Sequence, residues 1–192
     1  MLVTLEGIDG SGKTTIISAL QEAYPDAVYT LEPTDSWYGE AVRKSINTDG
    51  ADPLSELFLY MADHAYHLQT TILPALSNKK LVISDRYIDS RYAYQSTSLD
   101  GIVEDPLSYI QKIHQPWTVL PELTLYFDLS PSLGAMRSGS TNKFEQLSFL
   151  ERVHENYEKI ISNDPGRFVR IDASLPPDKI AKIAIKTISN LL

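Results

Sequence analysis

Two rhythms of apolar residues alternate along the chain. Short apolar runs at residues 2–6, 27–31, 81–84, 123–129 and 167–172 have the length of buried strands, and the unbroken ones read as parallel strands covered on both faces. Between them apolar residues recur every three or four positions, the spacing of one helix face. Ile16, Ile17 and Leu20 follow the first run, and Tyr38, Ala41, Val42 and Ile46 follow the second. Leu147, Leu150, Val153, Tyr157 and Ile161 precede the last run, and Ile180, Ala184, Ile188 and Leu191 close the chain. The longest helical pattern, residues 54–76, predicts a core stripe of Leu54, Leu57, Phe58, Met61, Ala65, Leu68 and Ile72, with Tyr60, His64 and His67 on an adjoining face. That face either lines a pocket or packs as ordinary helix surface. Strands alternating with helices predict an α/β fold, a five-stranded parallel sheet with right-handed crossovers and helices on both sides.

The candidate chemistry collects at the carboxyl ends of the strands, where open α/β sheets bind ligands. After the first run stands Gly7-Ile8-Asp9-Gly10-Ser11-Gly12-Lys13-Thr14, a phosphate loop of the form G-x-x-x-x-G-K-[ST]. Its glycines let the backbone aim N–H groups inward, Lys13 adds a charge for the outer phosphates, and Thr14 offers a hydroxyl to magnesium. The helix beginning at Lys13 points its positive end at the anion. The nucleotide-binding candidates are therefore Gly7, Asp9, Gly10, Ser11, Gly12, Lys13, Thr14 and Thr15. Glu32-Pro33 ends the second run, and Arg43 lies on the helix that follows. The third run ends in Asp85-Arg86-Tyr87. An acidic residue in that position commonly orders magnesium, which makes Asp85 a metal candidate with Thr14. Arg91 and Tyr94 continue from that edge as a helix. Residues 138–142, Ser-Gly-Ser-Thr-Asn between Arg137 and Lys143, have the composition of a lid over an anion, at about residues 137–145. Asn142-Lys143-Phe144-Glu145 only superficially resembles the guanine-reading N-K-x-D, because it opens a helix instead of following a strand.

Composition narrows the partners. The 192 residues suit one domain, and no linker or repeat divides them. A net charge of −8 argues against a duplex or membrane bound by bulk electrostatics, so any phosphate site is local. Cysteine is absent, which removes disulfides and thiolate zinc sites. No run approaches a membrane span and the first residues are unlike a secretory signal. These features lead to the expectation of a cytoplasmic protein.

Together the phosphate loop, Glu32-Pro33, the stretch LYMADHAYHL, the segment SDRYIDSRYAYQ and the late KFEQLSFLERVHENY resemble thymidylate kinases, particularly the archaeal type, in the family's order and over nearly the whole length. The resemblance implies a nucleoside monophosphate kinase-like fold, transfer of the ATP γ-phosphoryl group to dTMP with Mg2+, and a homodimer. By position, it implies that Asp9 contacts the 3′-hydroxyl of the sugar, that Arg43 and Arg86 hold the acceptor phosphate, and that Tyr60 stacks on thymine. Tyr94 would crowd out a ribose 2′-hydroxyl, and Asp85 would serve the metal. Three positions depart from the pattern. His64 stands where the family often has a base-reading arginine, while Arg91 stands where a small polar residue is common, so the positive group is expected to have changed helix. Leu31 replaces an arginine before Glu32-Pro33. Gly10 replaces an arginine found in one branch, which leaves Arg137, then Lys143, as the transition-state cation. The competing classes are another nucleoside monophosphate or deoxynucleoside kinase, using dUMP, UMP or thymidine, and a non-catalytic nucleotide-binding module.

Overall fold

The computed structural model describes residues 1–139 and 142–192. Five parallel strands form one sheet in the order β2-β3-β1-β4-β5: β1 Leu2–Glu6, β2 Val28–Leu31, β3 Val82–Asp85, β4 Leu123–Asp128 and β5 Phe168–Asp172. The first strand is central and buried at every position, as its unbroken apolar run requires. Its register with β3 sets Leu5 opposite Asp85, so the phosphate loop and Asp85 leave the sheet at the same level. The strand on its other side, β4, pairs Glu6 with Tyr126.

Helices cover both faces. After α1 (Lys13–Ala23), helix α2 (Trp37–Ile46) begins at Ser36, whose side chain accepts a bond from Gly39 N–H and caps the helix. The long pattern at 54–76 is not one regular helix. It is α3 (Pro53–His67), a π turn at Leu68–Ile72 and a short α4 (Leu73–Ser77). Its buried face is also rotated from the predicted stripe. Leu57, Leu68 and Ile72 are buried as expected, but Phe58 and Ala65 face outward while Glu56, Asp63, His64 and His67 are buried. The inward side of α3 mixes core packing by Leu57 with buried polar groups that have polar partners, Asp63 accepting from Thr34 N–H and both histidines meeting Glu32.

Helices α5 (Ile88–Ser98), α6 (Pro106–His114), α7 (Pro131–Ser138), α8 (Leu147–Asn163) and α9 (Pro177–Ser189) complete the layers. Lys143–Glu145, expected to run into the start of α8, forms a separate 3-10 turn. In the core Leu5, Ile16, Leu20, Ile83, Leu125, Val153 and Ile188 are buried, which joins the sheet to helices of both layers. Of the predicted lid, Ser140 and Thr141 lie outside the described residues; Arg137 ends α7, and Lys143 stands on the 3-10 turn.

Candidate active site

The phosphate loop turns through left-handed backbone at Gly10 (φ 78°) and Gly12 (φ 85°), a region that disfavours side chains. Gly10 has a second reason to be glycine, since a Cβ there would meet the Gly134 carbonyl oxygen at 2.5 Å. The loop is thus wedged against the first turns of α7. Within it Lys13 is buried, donating to the Gly7 and Ile8 carbonyls and to Ser11 Oγ, each at 3.0 Å. Burial, and after it the charge of Arg86, pull the Lys13 pKa down to about 8. Thr14 Oγ1 donates to Asp85 Oδ2 at 2.9 Å. A hydroxyl and a carboxylate side by side form the hard oxygen set that magnesium takes, completed by water and phosphate. These groups, with Thr15, Leu31 and Arg137, line a cleft of about 440 Å³.

A second, smaller cavity of about 200 Å³ adjoins it, walled by Tyr60, Tyr94 and Phe144 and carrying Arg91, Gln95 and Asn142 as polar groups. Asp9, Glu32 and Arg86 line both spaces. Arg86 is therefore at the junction. Its backbone is left-handed (φ 66°), unusual for a side-chain-bearing residue and common at functional sites. The guanidinium donates to Gly7 O at 3.0 Å, Ser90 Oγ at 2.9 Å and Asp9 Oδ1 at 2.6 Å, and lies over the Tyr94 ring. The Tyr94 hydroxyl donates to Asp9 Oδ2 and accepts from Asp9 N–H. Burial alone would raise the Asp9 pKa, but Arg86 and Lys13 outweigh it and hold the carboxyl below its ordinary value.

Behind this junction Glu6 is fully buried. It accepts from Tyr87 N–H, the Ser90 hydroxyl and the Tyr157 hydroxyl, and burial, helped by nearby Asp89, pushes its pKa up to about 7.

Most predicted site residues meet in these two spaces; Gly7 and Ser11 belong to the phosphate loop without lining either space, and Arg43, His64 and Lys143 also lie outside both linings. Arg43 lies outside the lining of both; half-exposed, it donates to Pro33 O at 3.1 Å and pairs with Asp35 at 3.7 Å. His64, expected where a base is read, is wholly buried behind the cavity with both ring nitrogens engaged, by Glu32 and Thr118. Lys143, one of two lid cations, points away from the donor cleft to Glu56 on α3, at 2.7 Å. Arg137 does line the cleft, and its Nη1 donates to Ala173 O at 3.1 Å.

The sequence reading passed over Gln95, Ser90 and Phe144. Gln95 follows Arg91 by four residues on α5, where a helix sets neighbours on one face; Ser90 lies on the same helix, but its partner Arg86 precedes the helix in left-handed backbone, so no helical spacing signals that pair. Phe144 carries no such signal, because it enters the cavity from a distant segment.

Comparison with known proteins agrees with this geometry. A family model described as thymidylate kinase matches residues 5–183. Relatives named probable thymidylate kinase share 52% identity in Natronomonas pharaonis and 55% in Halorubrum lacusprofundi, each over the whole of this chain and 99% of the relative. One from Methanococcoides burtonii shares 47%, over all of this chain and 97% of its own length.

Proposed function

We propose, from the premise that this chain belongs to the thymidylate kinase family, how its two joined cavities divide the work of phosphorylating dTMP to dTDP with ATP. It is an ATP-dependent kinase, and ATP is its phosphoryl donor. The observation that carries the reading is the shared wall. A phosphate-loop cleft and a smaller aromatic cavity meet at Asp9, Glu32 and Arg86, so a triphosphate in one and a nucleoside monophosphate in the other bring their phosphates together at Arg86.

In this reading the P-loop amides and Lys13 hold the β- and γ-phosphates, while Thr14 and Asp85 hold Mg2+, which neutralises developing charge on the phosphates. An oxygen of the acceptor phosphate bonds to the γ-phosphorus, and the bond from that phosphorus to the bridging oxygen breaks, leaving its electron pair on ADP. The acceptor is already anionic, so no strong general base is needed. Catalysis is then positioning and charge neutralisation. Arg86 serves the acceptor phosphate after exchanging its bond to Asp9, Asp9 turns to the 3′-hydroxyl, and Arg137 supplies the transition-state cation. Arg43 joins from the rim. Tyr60 stacks on the base, Tyr94 closes the space beside the sugar's 2′ carbon, and Arg91 and Gln95 meet the base edge.

Among the described residues no helix is long and apolar enough to cross a membrane. The proposal includes a cytoplasmic homodimer acting on free nucleotides and not on nucleic acid. ADP release measured with dTMP, dUMP, UMP and thymidine in turn tests the assignment. Turnover is expected with dTMP, a faster rate with UMP or thymidine would move the acceptor to another class, and ATP binding without acceptor-dependent ADP release would mean a non-catalytic module.

A further inference from the structure

Glu32 directly follows β2 and is nearly inaccessible to solvent. Its Oε1 accepts from Nδ1 of both His64, at 2.7 Å, and His67, at 2.8 Å, and its Oε2 accepts from Nη2 of Arg91. The far ring nitrogens are also taken. His64 Nε2 lies 2.8 Å from Thr118 Oγ1, and His67 Nε2 lies 2.6 Å from Thr30 Oγ1. With the proton on Nδ1 of each ring and the threonine hydroxyls donating to Nε2, all four ring nitrogens are satisfied with both imidazoles neutral, an assignment made from the network. Burial, with Arg91 nearby, holds His64 below its ordinary pKa despite Glu32, which keeps it neutral. Glu32 would be hard to ionise in so buried a place, yet its close neighbours His64, Arg91 and His67 hold its carboxyl well below the usual range. Two neutral donors and one cation therefore fix one carboxylate.

Arg91 spends a single nitrogen on this contact. It lines the acceptor cavity with Gln95, and Arg91 Nε, Arg91 Nη1 and Gln95 Nε2 are all buried without a partner. Buried donors are rarely left unmet in native proteins, and these three belong to two residues that line one cavity, which points to a ligand edge rich in acceptor oxygens.

We propose that His64 and His67 are positioning residues, a two-donor clamp on Glu32 that holds the Arg91 guanidinium with Nε and Nη1 free for the carbonyl edge of the acceptor base. The inference rests on the acceptor-cavity reading above. Arginine stays protonated and offers only donors, so the clamp favours a carbonyl edge over an amino edge, dTMP over dCMP.

The test exploits the ring geometry. At His67, asparagine places an amide nitrogen where Nδ1 stands and keeps the bond to Glu32, whereas glutamine reaches toward Thr30 and loses it. H67Q is expected to raise the dTMP KM about ten-fold, the worth of one good hydrogen bond, with the ATP KM within about two-fold, while H67N stays near wild type. The H64N and H64Q pair reads the same clamp independently should H67Q fail to fold. In an Arg91→Ala background H67Q should add nothing further, because residues acting through one group are non-additive. An unchanged dTMP KM in H67Q beside a raised one in R91A overturns the clamp and spares the cavity reading. An unchanged dTMP KM in R91A overturns the cavity reading and the clamp with it. Equal rises in both KM values, or effects that multiply in the double variant, reduce the histidines to structural support and also overturn the proposal.

Discussion

Lys13 shows how one buried cation can report on nucleotide binding. Its three acceptors are neutral, and its pKa falls to about 8 chiefly through burial. For folding, a cation whose pKa drops from 10.5 to about 8 costs stability at every pH below 8, and that cost is relieved between 8 and 10.5 as the unfolded chain binds the extra proton. Nucleotide binding works in the opposite sense, because triphosphate oxygens restore the charge. Binding of ATP should therefore take up a proton at about pH 8.5 and little at about pH 6.5 from this group, read by calorimetry in buffers of different ionisation heat. Lys13→Arg should abolish the uptake, since guanidinium does not titrate in this range. Equal proton uptake in the variant would assign it elsewhere. Arg137 carries the second prediction at this scale. It lines the donor cleft, and Arg137→Ala should lower kcat by roughly 10²-fold or more, the usual cost of losing one electrostatic donor. A kcat near wild type would end its role as the transition-state cation. Lys13 and Thr14, within a recognisable loop, and Asp85, at the end of a buried strand, were legible because their roles follow from a spacing and a strand end. The cluster around Glu32 was not, since its members at 32, 64, 67 and 91 come from three elements and no single pattern joins them.

The elements that frame the site differ from their sequence signals where function competes with periodicity. Helix α3 carries enough apolar residues to predict an inward stripe, yet it turns Phe58 outward and buries Glu56, Asp63, His64 and His67. Hydrophobic spacing assigns a face only when the partner layer is apolar, and here the buried polar residues meet polar partners: Glu56 with Ser45 and Lys143, Asp63 with Thr34 and Ser36, and both histidines with Glu32. The π turn at Leu68–Ile72 then re-aims the chain toward α4, a kind of interruption often found beside functional sites. Across the cavity, the 3-10 turn of Lys143–Glu145 brings Phe144 into the wall and ties Lys143 to buried Glu56, which among the described residues otherwise has the Ser45 hydroxyl as side-chain partner and leaves Oε1 unmet. That bond joins the lid segment to α3, and Lys143 does not line the donor cleft. Lys143→Ala should accordingly cost about 1–3 kcal/mol of stability, the penalty of stranding a buried acceptor, visible as a Tm lowered by several degrees in a chain of this size. Its kcat should stay within a few-fold of wild type while the dTMP KM rises through the loosened wall. A large fall in kcat at unchanged Tm would instead put Lys143 in the transition state.

At the scale of the molecule, the parallel five-stranded architecture was readable because each strand is a short apolar run and each crossover a helix-period pattern, whereas the strand order β2-β3-β1-β4-β5 comes from the structure. The relation between the two cavities was not readable, since it depends on α5, α3 and the 143–145 turn closing on one volume. Charge is also arranged at this scale. The chain is acidic overall, yet Lys13, Arg86, Arg91 and Arg137 gather around the two spaces, so anionic nucleotides meet a local positive field in a protein that repels polyanions elsewhere. What remains outside the site is an apolar surface on α2 and α3, where Trp37, Phe58 and Tyr66 are exposed by 70%, 51% and 42%. Large aromatics left in water on adjoining helices are costly at about 25 cal/mol per Å² of apolar area, and a second copy of the chain would cover them in the proposed homodimer. These helices also supply Arg43, Tyr60 and the histidines, so association there would stiffen the acceptor side of the site. The chain should sediment at twice its 21.5 kDa mass. Phe58→Glu should shift it toward monomer at micromolar concentration, since burying an unpaired carboxylate at such a contact is strongly unfavourable. The ATP-induced rise in Tm should survive in that variant, because the phosphate loop lies on other elements, while the dTMP KM increases. A variant that remains dimeric would place the interface on another face, and a wild-type monomer would remove the dimer from the proposal.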